Sequence, residues 1–224
     1  MASKEQDLKR PRAPLSRELV LRTAVTFADE SGIGSLSMRK LGDALGVKAM
    51  SLYNHVANKE DILDGIVDIV VAEIEAPEIG SDWKTAMRRR AISAHEVLLR
   101  HPWASMLIVS RVNVGPAMLR YVDATVGCLR EAGFSYEMAD RAWNAIDSHI
   151  HGFTLQELNF PFKPSEYADT AKSFLPQLPA EEYPYLRALA QKVIDGGHHG
   201  IQDFGFGLEL LLEGLEASLS RNER

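Results

Sequence analysis

The chain has one cysteine in 224 residues. Cys128 therefore has no partner for an internal disulfide. That fits a reducing compartment, and a lone thiol of this kind reads as a small apolar side chain. Long apolar runs are missing too. A membrane span needs about 20 consecutive apolar residues, and no stretch approaches that. Residues 1–14 are polar and basic, so no signal peptide is expected. The period-two alternation of a strand is absent throughout. Catalytic signatures are absent as well: no HExxH, no paired cysteines, no glycine-rich phosphate loop and no G-x-S-x-G. His149 and His151 stand two apart, which splays them on a helix. His198 and His199 lie among glycines, where a metal site and a flexible loop fit equally well. No cofactor and no metal are expected.

What is present is helical periodicity and an uneven distribution of charge. Apolar residues make up 46%, enough for a real core, and the net charge is −6. Residues 1–60 hold ten Lys/Arg against seven Asp/Glu; the remainder holds fifteen against twenty-four. A basic head on an acidic body is expected if only the head meets phosphate. Residues 1–14 read as a disordered arm, with Lys9, Arg10 and Arg12 either solvated or reaching DNA.

The most informative stretch runs from Ser37 to Lys59. Met38, Leu41 and Leu45 share one helical face, Ser37 is a candidate N-cap, and Leu45-Gly46-Val47 is a tight turn. Val47, Leu52 and Val56 are the apolar residues of a second short segment. Two short helices over such a turn form a helix-turn-helix. The N-terminal part of its second helix would face base edges. Lys48 can donate to guanine there, and Ala49 and Met50 can touch a thymine methyl, with Ser51 beside them. Before this segment, Ser16 caps a helix to about Ser31 that Gly32 ends. After it, Asn58 caps a fourth helix rich in Ile and Val, broken at Ala76-Pro77-Glu78-Ile79-Gly80, where the domain boundary is expected.

Helices are then expected over Asp82–Arg100, Trp103–Arg111, from Gly115-Pro116 to Gly133, Ser135–Leu158, Glu181–Asp195 and Gln202–Leu219. The Arg88-Arg89-Arg90 triplet reads as a solvated face with local ion pairs. Residues 159–180, punctuated by Pro161, Pro164, Pro176 and Pro179, read as a long connection with one helical turn in the middle. A lid over a pocket and plain hydrophobic cover are both open. Phe204, Leu208, Leu211, Leu215 and Leu219 step like an a/d seam.

The segments RELVLRTAVTFADESG, SMRKLGDALGV and SLYNHVANKEDIL resemble the DNA-binding head of the TetR family of bacterial transcriptional regulators. The run from Leu52 to Lys59 is the most specific of them. HPW at residues 101–103 and FGFGLELLLEGLEA at 204–217 look like the tetracycline-repressor type of C-terminal domain. The resemblance implies an all-α homodimer with three parts: an arm (1–14), a helix-turn-helix head with a linking helix (15–76), and a regulatory and dimerisation body (82–220). It implies a cytoplasmic, nucleoid-associated DNA-binding protein, most simply a repressor released by a small-molecule effector from a near-palindromic operator. A body that only dimerises or docks a protein is the second reading, and a helical enzyme the third.

By the same resemblance Arg39 can reach a base, and Ser37, Tyr53, His55 and Lys59 match phosphate-contacting positions. Tyr53 could equally be core packing between helices. Asn54 stands where the family often has an aromatic. An effector pocket is implied in the body, with Trp103, Met106, Met118, Tyr121, Trp143, His149 and Phe153 as candidate lining. Asn113, His149 and Gln156 are its candidate orienting groups. The dimer interface is expected on the Ser135–Leu158 and Gln202–Leu219 helices, as a four-helix bundle.

Overall fold

The computed structural model describes residues 14–197 and 203–222. Lys9, Arg10, Arg12, His198 and His199 lie outside these. The described residues are helices and connections, with no strand among them. None of their helices is long and apolar enough to cross a membrane. Two compact units divide within a helix, at Ile69–Val70.

The first unit is built from α1 (Arg17–Ser31), α2 (Met38–Leu45), α3 (Ala49–Leu52) and most of α4 (Lys59–Val71). The starts of α1, α2 and α4 are each fixed by a side-chain cap, and α3 has none. Ser16 accepts from the Leu19 amide at 3.2 Å, Ser37 from Lys40 at 3.3 Å and Asn58 from Asp61 at 2.9 Å. Asp61 returns the favour by accepting from the Ala57 amide at 2.8 Å. Arg17 clamps the same carboxylate with two nitrogens, at 2.7 and 2.8 Å, which ties α1 to the start of α4.

Val20, Ala24, Leu41, Leu52, Val56 and Ile62 are buried at 3% exposure or less. The α2–α3 turn is tight enough to dictate two glycines. Gly46 takes φ 68°, a left-handed conformation. A Cβ on Gly42 would stand 2.9 Å from the Val47 carbonyl oxygen and 3.1 Å from the Ala49 nitrogen.

The second unit is a bundle around α8 (Tyr136–Leu158), against which α5 (Trp83–Arg100), α6 (Ala104–Ser110), α7 (Pro116–Glu131) and α11 (Phe204–Asn222) pack. Asp82 and Ser135 cap α5 and α8, and Pro116 opens α7. Lys84 reaches Glu216 at 2.6 Å, and Arg88 pairs with Glu209, so two ion pairs tie α5 to α11. Phe204, Leu208 and Leu212 of α11 are buried in this unit. The seam expected for a partner subunit is therefore partly spent internally. The side α11 turns to solvent carries Phe206 and Leu210, 65% and 56% exposed.

Residues 159–180 hold more helix than the prolines suggest. A two-turn α9 (Tyr167–Phe174) lies between short 3₁₀ turns and packs against α10 (Pro184–Ile194). Tyr167 to Phe174 contains no proline, so the flanking prolines frame a helix instead of preventing one. Tyr185, Leu186 and Leu189 of α10 stay exposed.

Candidate functional site

Two places gather the sequence-predicted residues, one in each unit. In the first unit, α3 is a single turn. Lys48 holds its N-cap position, and Tyr53, Asn54 and His55 fall in the turn that follows. Ser37, Arg39, Lys48, Met50, Tyr53, Asn54 and Lys59 are exposed, while Ala49, Ser51 and His55 are half-buried. Met50 is 75% exposed, an unusual position for a large apolar side chain with no packing role in the unit. Tyr53 is 46% exposed, which removes the core-packing alternative. Ser37 accepts the Lys40 amide, so its own proton is available to an acceptor. Lys59 is the first residue of α4, where amides without helical partners and the helix dipole favour an anion. The arrangement offers apolar and donor groups on a short helix, flanked by donors suited to phosphate.

In the second unit a cavity of about 480 Å³ opens between the end of α4 and α5 to α8. One wall is apolar: Ile74, Leu98, Ile108, Val109 and Val122 face it. Along α8 the wall is polar, with Asn144, Asp147, Ser148 and His151 one turn apart in sequence. Asp147 is the most constrained of these. Its Oδ2 accepts from Trp143 Nε1 at 2.6 Å, and its Oδ1 from Arg90 Nη2 at 2.5 Å. Arg90 lies behind the wall, fully buried, with its guanidinium 4.8 Å from the centre of the Tyr121 ring.

Burial works against charge on Arg90, but Tyr121 and Asp147 outweigh it and hold the guanidinium above its ordinary value. Burial pushes the Tyr121 phenol well up. Burial also holds the His151 imidazole below its ordinary range, with Asp147 opposing and Arg90 assisting. His151 Nδ1 is engaged by the buried Ser105 hydroxyl at 2.9 Å.

Of the residues expected in the pocket, Asn113, Met118, Tyr121 and Trp143 line this cavity. Trp103, Met106, His149 and Phe153 do not. Trp103 is buried in the turn before α6, edge-on to His101, and Met106 faces solvent. His149 stacks on Phe204 at 4.9 Å and bonds its carbonyl at 3.0 Å, with Phe153 against both rings. Gln156, the third candidate orienting group, is exposed and is not part of the cavity wall.

The triplet reading also needs correction at Arg90. Met87, Ala91 and Ala94 are buried around it on α5, so helical spacing turns Arg90 inward while Arg89 points to solvent. Arg90, Asp147, Ser148 and His151 are the cavity-side residues that sequence reading missed. Arg90 had a usable signal, a charge on the buried face of its helix.

A family model described as the tetracyclin repressor-like C-terminal domain matches residues 76–219. The chain belongs to the TetR family of transcriptional regulators. This TetR-family chain is 31% identical over 205 residues to an HTH-type transcriptional regulator of Saccharopolyspora erythraea, covering 91% of itself and 86% of that protein. It is 30% identical over 215 residues to the class D tetracycline repressor protein of Escherichia coli, covering 93% and 92%. Among solved structures, the Streptomyces coelicolor TetR family protein ActR in complex with actinorhodin aligns with a TM-score of 0.78. That match has 30% identity and covers 92% of this chain and 99% of the other. These relatives are helix-turn-helix regulators, not enzymes, and the enzyme reading falls with them. The matched span, residues 76–219, lies within the second unit, which is thus the C-terminal domain of a TetR-family regulator.

Proposed function

We propose that this regulator is a cytoplasmic repressor that holds a near-palindromic operator as a homodimer and releases it when a small molecule enters the α4–α8 cavity. The observation that carries the reading is the course of α4. It starts at Lys59, directly after the DNA-facing turn, and its last residue, Val71, is part of the cavity wall. A ligand touching that wall gains or loses contacts according to the position of α4, which is the differential affinity that release requires. The relatives support both halves: one is named a tetracycline repressor, and ActR is solved with actinorhodin.

On the DNA side, Lys48, Ala49, Met50 and Ser51, with Arg39, face bases. Ser37, Tyr53, His55 and Lys59 hold phosphates, with Asn54 exposed beside them. The test is a DNA-shift titration with the gene's own upstream region, repeated with compounds that stabilise the protein against heat. The expected result is a specific complex that at least one stabilising compound dissolves. Compounds that stabilise the protein but leave the complex intact would contradict ligand release.

A further inference from the structure

We infer that the effector of this cavity is an uncharged compound carrying a hydroxyl that donates to Asp147, and that Arg90 is the positioning residue that makes Asp147 selective for it. The inference rests on the reading of the cavity as the effector site. Both Asp147 oxygens already accept one hydrogen bond, one from Arg90 and one from Trp143. A carboxylate oxygen accepts more than one, and the Asp147 side chain keeps 25% exposure at the cavity wall. The place left beside it is a place for a donor.

Charge narrows the class. Asp147 is neutralised by a guanidinium that is itself 0% exposed. Arg90 Nε and Nη1 have no hydrogen-bond acceptor among the described residues, and the Tyr121 ring lies against the guanidinium, so Asp147 is its carboxylate partner. An incoming carboxylate would stand against Asp147, and an incoming ammonium against the Arg90–Asp147 pair, which is already balanced. On the same row burial holds the His151 imidazole below its ordinary range, which favours its neutral form, and Arg111 is a further cation at the wall. The facing wall of Ile74, Leu98, Ile108, Val109 and Val122 asks for an apolar edge. A hydroxylated ring compound meets both demands. Its alkyl ether lacks the proton and leaves the Asp147 site unmatched.

The experiment is calorimetric titration of the full chain with 2-naphthol, 2-methoxynaphthalene, 2-naphthoate and 2-naphthylmethylammonium. Wild type is compared with the double variant Arg90→Met, Asp147→Leu, which removes both charges together. Removing one alone would strand the other in the interior and could unfold the protein. Wild type should bind 2-naphthol at least about tenfold more tightly than its methyl ether, and more tightly than either ion. In the double variant the two neutral probes should bind within about threefold of each other, with the ether bound no worse than by wild type. That reversal is not what simple structural damage would give.

Equal binding of naphthol and ether by wild type overturns the inference while leaving the cavity as a ligand site. So does tightest binding of naphthoate, which would point to Arg111 at the cavity wall. Binding unaffected by Val122→Trp, which fills the cavity, or no binding by any probe, removes the cavity reading and the inference with it.

Discussion

Lys59 places a full charge at a helix start, where the dipole also favours an anion. The proposed phosphate contact there predicts a defined effect. Lys59→Ala should weaken binding to every duplex alike and reduce the slope of log K against log salt by about one per head. Lys48→Ala should instead alter which base pairs are preferred, by about 1–3 kcal/mol at one position. Binding series across salt and across single-base operator variants separate the two. Asp61 gives a pH prediction. The Arg17 hydrogen bonds hold its carboxyl below the ordinary range, although burial pushes it the other way. A depressed folded-state pKa contributes stability that is complete above the ordinary carboxylate pKa and lost as pH falls through the folded value. Asp61→Asn should therefore be less stable at pH 7, by under about 1 kcal/mol because the pair is partly solvated, and converge with wild type as pH falls through the depressed folded-state value. A constant gap across that range would show that the pair does not carry the shift.

At the scale of elements, five helix starts were legible because a local side-chain bond signals them: Ser16, Ser37 and Asn58 cap as expected, and Asp82 and Ser135 cap the helices expected to begin there. What was not legible depends on tertiary partners. The faces of α11 are one case. A stripe of leucines tells that a side is buried but not whether by its own chain, and here Leu208 and Leu212 are covered internally. The cavity is another. Aromatic and methionine positions were half readable, whereas Asp147 on the middle turns of α8 looks like any solvated acid until Arg90 of α5 is placed beside it. The solvent side of α11 carries a prediction. Phe206→Glu with Leu210→Glu should convert the proposed dimer to monomer in sedimentation, with helix content retained. Leu208→Ala should cost about 2–5 kcal/mol of unfolding free energy, because it opens a void in the second unit. A dimer that survives the paired glutamates would place the interface elsewhere.

For the whole molecule, the account joins a DNA-reading unit to a ligand-holding one through an unbroken helix. The two recognition helices of a dimer must lie about 34–36 Å apart to enter successive major grooves. A ligand that dissolves the operator complex should therefore shift or broaden the distance between spin labels at Ala57, an exposed position, in the two subunits. The most direct test of the central claim is the affinity of the purified protein for its own upstream duplex and for a scrambled one, each measured at several salt concentrations. The account predicts at least about a thousandfold preference for the upstream duplex, with log K falling linearly as log salt rises. Equal affinity for the two duplexes, or affinity indifferent to salt, would contradict it.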